Sequence, residues 1–459
     1  MPICSSYVKR EVLPRRLNRA KQKQAFAMPE TLNLELGTWN FWSHWLRLSL
    51  AVLLLFGAAR ADTSEQRLAV FDDVWRTVNE RYYDAQFNGV DWAAQREKYR
   101  AQVVATPDKA AFYALLRRMI GSLRDSHTRL FTDEEKSDWA KPRYITVGLA
   151  VREIEGLPII TAVDKDSAAE KAGLAAGDVV VSVDGKPALE LFAARLAEMT
   201  ASTAAAARFR SMSNIFEGAD GSLMRLEWRD KSERLYVTTL TRARRERAPE
   251  MRIKRAEGGV GIVSFDIFTL EMALAFTRAW RNELRDVRGL VIDLRGNGGG
   301  DANAMADIAS ALLPAGMPLG KFTNRSGQTV FEPQTRNAMT WASDAITRFT
   351  GPVVLLTGTR TASAAEVFSA SLKETGRVRV LGATTCGCVL ALSRHTLPDG
   401  GLLDLSVMDY RTAKGTRLEA IGVAPDETIN PTRRDLITGR DPALERAFAI
   451  VGLAQRKAA

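Results

Sequence analysis

From Gly258 onward, short apolar, β-branched runs alternate with amphipathic stretches, and this alternation constrains the fold more than any other feature of the chain. The runs predicted as strands and the stretches predicted as helices occupy, in chain order, residues 260–265, 270–283, 290–294, 303–313, 353–357 and 363–375. Strands that alternate with helices form a parallel or mixed sheet covered by helices. Residues 246–459 are therefore predicted to form an α/β domain.

Two regions of different character precede this domain. In residues 62–142, Phe71, Val74 and Val78 follow the three-four spacing of a helix face, and a second helix is predicted at 109–123. Residues 143–245 contain β-branched runs and glycine turns, with strands predicted at 145–151, 157–163, 179–183, 223–228 and 234–241. An alanine-rich helical insertion is predicted at 188–216. The expected fold class is a multidomain α+β protein: a helical N-terminal domain, a β domain and an α/β domain.

The first 61 residues resemble a leader that contains a signal peptide. An apolar run of ten residues, 48–57, is too short to cross a bilayer, and the small residues Ala59 and Ala61 follow it. We expect cleavage after Ala61 and export to the periplasm or the medium. The alternatives are an uncleaved membrane anchor and a buried apolar helix, and translation could start at Met1 or at a later methionine such as Met28.

The net charge of +10 does not indicate a nucleic-acid partner. Residues 1–61 carry nine Lys and Arg against three acidic residues, which leaves +4 for the other 398 residues. No zinc-ligand spacing or aromatic RNA-binding motif accompanies the charge. A membrane contact is expected only through the leader, if it stays uncleaved.

Two turns between a strand and a helix carry residues suited to acyl chemistry. Ser363 follows a buried strand and opens a helix, whose free N–H groups favour a developing oxyanion. The glycine-rich turn at 293–300 lets backbone N–H groups approach an anionic atom, but it lacks the pattern of a phosphate-binding or dinucleotide-binding loop. Each turn also has a purely structural interpretation, as a serine N-cap and as a tight turn.

Together with three further motifs, these turns resemble the tail-specific or carboxyl-terminal processing serine peptidases. The resemblance covers about residues 64–426. The further motifs are the aromatic and acidic residues Trp75, Tyr82, Tyr83, Asp91 and Trp92, the PDZ-like segments 147–151 and 172–178, and Gly422-Val-Ala-Pro-Asp426.

The resemblance implies roles for individual residues. Ser363 would be the nucleophile, and the N–H groups of Gly299 and Ala364 would form the oxyanion hole. Gly148 and Leu149 would bind the carboxylate of a peptide C-terminus in a PDZ-like domain, and the catalytic domain would have a ClpP/crotonase-like fold. The implied partners are protein or peptide substrates, and no cofactor or metal is implied.

One position departs from the family pattern and changes the expected mechanism. Where the dyad enzymes have a lysine, 25 residues after the nucleophile, this chain has Cys388, and no lysine occurs from 374 to 413. A thiol does not replace a lysine amine as a general base. Another residue must deprotonate Ser363, or the protein is inactive.

His127 is the candidate base, because its pKa range suits proton transfer near neutral pH. Ser126 and His127 resemble the Ser-His pair of the tricorn-type branch, with Glu419 in the place of a glutamate that completes the relay. In the second interpretation His127 is not the base, since dyad enzymes carry an unused histidine in a similar segment. His395 is expected to be a solvated strand residue.

Cys386 and Cys388 form a Cys-x-Cys pair with three interpretations: packed free thiols, a strained disulfide or a metal site. On a regular strand the two side chains are too far apart to bond, so free thiols are favoured and a disulfide would require a kink at Gly387. Asp125 and Asp293 are expected to be structural hydrogen-bond acceptors, the latter beside Arg295.

The sequence as a whole predicts an exported serine endopeptidase that uses Ser363, His127 and Glu419. The rival hypothesis is an inactive binding protein on the same scaffold, which would take peptides or apolar ligands.

Overall fold

The structure is a computed structural model that describes residues 63–135, 143–246, 248–337 and 348–458. The predicted leader, residues 1–61, lies outside the described residues. The described residues belong to one compact unit. Within these ranges, no helix combines the length and the apolar character that a membrane crossing requires.

The N-terminal part consists of three helices, α1 (Ser64–Arg81), α2 (Trp92–Val103) and α3 (Lys109–Gly121). Each begins after a capping residue, Thr63, Asp91 or Asp108, whose side chain accepts a backbone N–H of the first turn. The predicted apolar face of α1 is buried at Phe71, Val74 and Val78. Helix α2 was not predicted from the sequence.

After α3 the chain leaves the helical part and forms the strand β1 (Arg129–Phe131). This strand pairs antiparallel with the C-terminal strand Leu402–Arg411, so it extends a sheet of the α/β part. The residues just before β1, which include His127, are thereby placed against the α/β part.

The middle part contains a small antiparallel sheet, with three helices inserted between its strands. Its elements are β2 (Arg143–Thr146), β3 (Leu149–Ile154), β4 (Leu157–Val163), α4 (Ala168–Lys171), β5 (Val179–Val183), β6 (Lys186–Pro187), α5 (Ala188–Glu198), α6 (Ala204–Ser213), β7 (Leu223–Arg229), β8 (Leu235–Thr241) and β9 (Ala243–Glu246). The sheet order is β3-β4-β5-β7-β8, and β6 pairs with β5.

Two expectations for this part need correction. The single strand expected at 145–151 is two strands, because the backbone turns at Gly148, which has a φ of 80°. The first of them, β2, pairs with β9 instead of joining the main sheet. The alanine-rich segment is two helices, α5 and α6, because the chain leaves the helical conformation between Met199 and Thr203.

The C-terminal part has the predicted alternation of strands and helices. Its elements are β10 (Met251–Ala256), β11 (Val260–Phe265), α7 (Leu270–Arg281), β12 (Gly289–Asp293), α8 (Ala302–Ser310), β13 (Lys321–Asn324), β14 (Thr329–Phe331), β15 (Val353–Thr357), α9 (Ala364–Glu374), β16 (Arg379–Gly382), β17 (Ala391–Thr396), β18 (Leu402–Arg411), β19 (Glu427–Thr428), α10 (Arg433–Thr438) and α11 (Pro442–Ala458). A mixed sheet has the order β10-β11-β12-β15-β16-β19, in which β10 is antiparallel and the other strands are parallel.

Side chains alternate between the two faces of this sheet. Leu290 and Ile292 of β12 pack on one side, in a core with helices α7, α8 and α9, whereas Val291 packs on the other side with α11. The strands β1, β18, β13 and β14 form a second sheet, with β17 also paired to β18. Arg129 and Phe131 of β1 line the same cavity as Ser363, which follows β15.

Candidate active site

Ser363 stands in a sharp turn between β15 and α9. Its φ of 55° and ψ of −124° lie outside the backbone regions that non-glycine residues normally adopt. The surrounding structure must therefore hold the backbone in this conformation. The N–H of Ser363 donates to the carbonyl of Cys388 at 2.8 Å. A strained strand-to-helix turn of this kind presents a nucleophilic hydroxyl at the open end of a sheet.

The glycine-rich turn after β12 packs directly against Ser363. A Cβ added at Gly299 would lie 2.5 Å from the Cβ of Ser363, and one added at Gly300 would lie 2.2 Å from the carbonyl oxygen of Phe268. Both glycines have positive φ values, 100° and 129°. No larger residue fits at either position without moving the turn away from the serine.

The N–H groups around the serine differ in their availability. The Gly299 N–H, predicted as an oxyanion donor, donates to the side-chain oxygen of Asn297 at 2.9 Å. Within the described residues, the N–H groups of Ala364 and Gly300 donate to no protein acceptor. Ala364 therefore has the free donor that the prediction requires, and Gly300 offers a second one beside Gly299.

A cavity of about 750 Å³ lies in front of these residues. Ser363, Ala364, Gly300 and His127 all line it, so the structure brings the predicted nucleophile, base and one oxyanion donor to a single space. Gly299, Ser126 and Glu419 do not line it. The lining comes from all three parts of the chain, because Arg210 of α6 also contributes to it.

The segment that carries His127 is fixed by Asp125. This carboxylate accepts the backbone N–H groups of His127 and Thr128 at 2.8 and 2.7 Å, and the hydroxyl of Ser406 in β18 at 2.9 Å. Asp125 is thus a structural acceptor, as predicted. It also couples the histidine segment to the sheet of the α/β part.

The His127 ring has unusual surroundings. Its Nδ1 is buried and has no hydrogen-bond partner. Burial lowers the pKa of His127 to about 4; Asp125 acts against this, and the positive charges of Arg129 and Arg210 add to it. The imidazole is therefore neutral at pH 7, which is the state that accepts a proton.

Glu419 is connected to the His127 segment through Ser202 and Ser126, and not through the imidazole ring. Its carboxylate accepts the N–H of Val389 at 2.8 Å and a hydrogen bond from Ser202, and burial raises its pKa to about 7. Ser202 and Ser126 exchange backbone-to-hydroxyl bonds of 3.0 and 2.9 Å. No hydrogen bond joins Glu419 to the His127 ring among the described residues.

Three family models match the chain. The model of peptidase family S41 matches residues 259–429, the model of the tricorn protease C1 domain matches residues 63–121, and a PDZ domain model matches residues 159–201. The C-terminal processing peptidase of Tetradesmus obliquus is 28% identical over 393 residues, which are 81% of this chain and 79% of that protein. The carboxyl-terminal-processing protease of Synechocystis is 28% identical over 406 residues, with 85% and 88% covered.

Residues 259–429 thus match peptidase family S41, and the relatives are carboxyl-terminal processing peptidases. The chain is accordingly a peptidase of the serine type, a hydrolase. Among solved structures, a photosystem II D1 C-terminal processing protease superposes with a TM-score of 0.55 at 24% identity, over 84% of this chain and 97% of that one. Mature CPAF in complex with lactacystin superposes with a TM-score of 0.64 at 14% identity, over 85% and 98%. These two likenesses concern the fold.

In this serine-type peptidase, Cys386 and Cys388 form a disulfide, so the prediction of free thiols is wrong. That prediction assumed a regular strand. The segment instead follows β16 as a loop, and Gly387 has a φ of 70°, which supplies the kink that a bond between residues two apart requires. The Sγ of Cys388 lies 3.2 Å from the hydroxyl oxygen of Ser126, and its thiol is not available as a base.

Glu366 holds this disulfide loop against the nucleophile, a role that sequence analysis missed. Its buried carboxylate accepts N–H groups from Ser363, Gly387 and Cys388 at 3.1, 2.7 and 2.8 Å, and the hydroxyl of Thr385. Burial raises the pKa of Glu366 to about 7, and these hydrogen bonds oppose the rise. A glutamate three residues after a serine is the spacing of a capping box, and this signal was present in the sequence.

His395 and Asp293, two polar residues whose roles were predicted from the sequence, do not line the cavity. His395 is a strand residue, as expected, and its side chain is partly exposed; its Nε2 lies 2.7 Å from a carboxylate oxygen of Asp73 in α1. Asp293 pairs with Arg295, as predicted, through contacts of 2.9 and 2.6 Å.

The predicted carboxylate loop of the PDZ-like part begins strand β3, at the edge of the sheet. The Gly148 N–H donates to the hydroxyl of Thr146 at 2.9 Å, and Leu149 pairs with Val163 of β4. Helix α6 lies along the other side of β3, where Arg152 stacks on Phe209 at 4.0 Å. A peptide carboxylate bound at the Gly148 N–H would have to replace the Thr146 bond.

Proposed function

We propose that this serine-type peptidase cleaves its substrates through an acyl-enzyme at Ser363, with His127 as the general base. The observation that carries the proposal is the shared cavity, in which the strained Ser363 turn, the free N–H of Ala364 and a neutral imidazole meet. Because Cys388 is bonded to Cys386, no side chain at the lysine position competes for the role of base.

The mechanism follows from these groups. The Ser363 hydroxyl attacks a peptide carbonyl carbon while His127 accepts its proton, and His127 then donates that proton to the leaving amine. The N–H of Ala364, with that of Gly299 or its neighbour Gly300, stabilises the oxyanion. Water enters, loses a proton to His127 and hydrolyses the acyl-enzyme, which restores the serine.

Glu419 acts as a positioning residue in this mechanism. It holds Ser202, and the exchange of bonds between Ser202 and Ser126 holds the residue that precedes His127. Replacing Glu419 should therefore affect turnover less than replacing the base does, because the histidine keeps its own anchor at Asp125.

A fluorophosphonate probe tests the nucleophile directly. The protein is expected to gain one probe adduct on the tryptic peptide that contains Ser363, and Ser363→Ala is expected to gain none. The matched control is Ser369→Ala, in the same helix, whose hydroxyl is buried and donates to the carbonyl of Ala365. This variant should label like the unchanged protein. If the unchanged protein never labels at Ser363, the alternative of an inactive binding protein, which the comparisons do not support, would replace this proposal.

We also propose that substrates are taken by their carboxyl ends, as the names of the relatives suggest. In a catalytically silent Ser363→Ala protein, a peptide with a free C-terminal carboxylate should bind several-fold more tightly than its amide. Titration calorimetry measures both affinities. Equal affinities would remove the carboxylate from recognition and leave Gly148 and Leu149 without a binding role.

The proposed location is outside the cytoplasm. The disulfide between Cys386 and Cys388 supports this proposal, since disulfides persist in oxidising compartments and are rare in the cytosol.

A further inference from the structure

Two arginine side chains bring positive charge to the end of the cavity that carries His127. Arg129 lies in β1, two residues after His127, and Arg210 lies in α6, in the inserted helical segment of the PDZ-like part. Both line the cavity together with Ser363. Two elements that are distant in the sequence thus place a guanidinium beside the proposed base.

Neither guanidinium forms an ion pair with a carboxylate among the described residues, although the charges of Asp404 and Asp125 act on Arg129 and those of Asp125 and Glu419 act on Arg210. The only hydrogen bond of Arg129 runs from its Nε to the carbonyl of Ser126 at 2.9 Å, and Arg210 makes none. Arg394 provides the contrast in the same cavity, because Asp404 neutralises it through contacts of 2.7 and 2.9 Å. Arg360 is the fourth arginine that lines the cavity, and its Nε donates to the carbonyl of Gly296 at 3.0 Å.

An anion that enters the cavity can reach both guanidiniums, because Arg129 is exposed and Arg210 is half-buried. Burial and the charge of Arg129 lower the pKa of Arg210 to about 9, so Arg210 stays protonated at pH 7. Arg129 is a cation at this pH as well. An anion bound between the two groups offsets the repulsion between them.

We propose that Arg129 and Arg210 bind a carboxylate of the substrate inside the active-site cavity. This inference rests on the proposed function and names the feature that the site recognises. A guanidinium donates two parallel N–H bonds to a carboxylate, and two such groups on separate elements fix its position. A carboxylate held there, in the cavity that Ser363 lines, sets the cleaved bond a short distance from it along the peptide.

Binding of the carboxylate also acts on the base. The groups whose charges reach His127 are Asp125, Asp404, Arg129 and Arg210, and the two arginines oppose its protonation. A substrate carboxylate between them offsets their charge. The imidazole then accepts the Ser363 proton more readily when a correct substrate is bound than when the cavity holds water.

The experiment uses the full chain with Ser363→Ala, so that binding is measured without turnover. Titration calorimetry compares one N-acetylated peptide in three forms: the free acid, the amide, and the amide with a C-terminal glutamate. Arg129→Gln and Arg210→Gln are each expected to weaken binding of the free acid by on the order of 10-fold to 100-fold, and to leave the plain amide unchanged. Arg210→Lys should keep part of the preference.

Arg195→Gln is the matched control, because Arg195 lies on the neighbouring helix α5 and pairs with Glu217 at 2.8 Å on the surface. It should keep the full preference for the acid. If the glutamate amide binds like the free acid and loses affinity in the same variants, the pair binds a side-chain carboxylate; if it binds like the plain amide, the pair binds the α-carboxylate. Either result supports the inference.

The inference is overturned if the preference for the free acid is absent, or if it persists unchanged in both arginine variants. Persistence would assign the carboxylate to the edge of β3 instead. Failure of the proposed function is a separate result: a protein that never labels at Ser363 but loses its acid preference in the arginine variants would keep the carboxylate site and lose the peptidase mechanism.

Discussion

Replacing His127 with alanine is expected to lower kcat/KM by about 10³-fold or more, because a serine without its base is a poor nucleophile. The fold should be retained, since the backbone of this segment is held by Asp125 and not by the imidazole. The measurement is steady-state hydrolysis of a fluorogenic peptide, together with the rate of fluorophosphonate labelling. Both rates should fall together, because both depend on deprotonation of Ser363.

The pH profile gives a second readout of the same prediction. Burial lowers the pKa of His127 to about 4, so the imidazole stays neutral down to that pH and becomes protonated below it. The kcat/KM of the unchanged protein should therefore fall, through protonation of His127, only as the pH drops through about 4. His395→Ala is the control, because this histidine pairs with Asp73 outside the cavity, and its turnover should be near normal. Near-normal turnover of His127→Ala, with Ser363→Ala inactive, would show that the base is misassigned.

Replacing Glu366 with alanine is expected to lower the free energy of unfolding by about 3–5 kcal/mol. The change removes the acceptor of three backbone N–H groups and the Thr385 hydroxyl; the donors on Thr385, Gly387 and Cys388 are buried. Activity should be lost as well, because the disulfide loop and the Ser363 turn lose their common anchor. Chemical denaturation measures the first effect and peptide hydrolysis the second.

Glu271→Ala is the matched control for Glu366. Glu271 also lies in the first turn of a helix, α7, but it is exposed. Its removal should change the free energy of unfolding by about 0.5 kcal/mol or less. If Glu366→Ala lowers the free energy of unfolding by less than about 1 kcal/mol, the carboxylate does not hold the disulfide loop in place.

The parts of this fold that could be predicted are those set by local sequence. The bounds of β4, β5, β11 and β15 match their apolar runs, and the helix after Ser363 begins where its capping pattern indicates. Helix α2 escaped prediction because only Trp92, Tyr99 and Val103 among its side chains are buried, which is too sparse a face to stand out. Its cap, Asp91, was visible but was assigned only to a motif.

The missed parts of the candidate site depend on contacts between distant segments. The capping-box spacing of Glu366 is local. The groups that donate to its carboxylate, on Thr385, Gly387 and Cys388, are distant in the sequence. The disulfide was misjudged because its geometry depends on a glycine conformation that periodicity does not reveal. The arginine pair could not be found from spacing, because Arg129 and Arg210 come from different parts of the fold.

The order in which the site is assembled along the chain has a consequence for biosynthesis. The His127 segment is positioned by β18, through the pairing of β1 and through the hydroxyl of Ser406, which donates to Asp125 across 281 residues. A nascent chain on the ribosome lacks that support until more than 400 of its 459 residues have been made. A translation product that ends between Ser363 and Ser406 carries the proposed nucleophile without a placed His127 segment. In the mechanism proposed above, the order of the segments therefore keeps such products inactive during synthesis, when unfolded neighbouring chains are most exposed to cleavage.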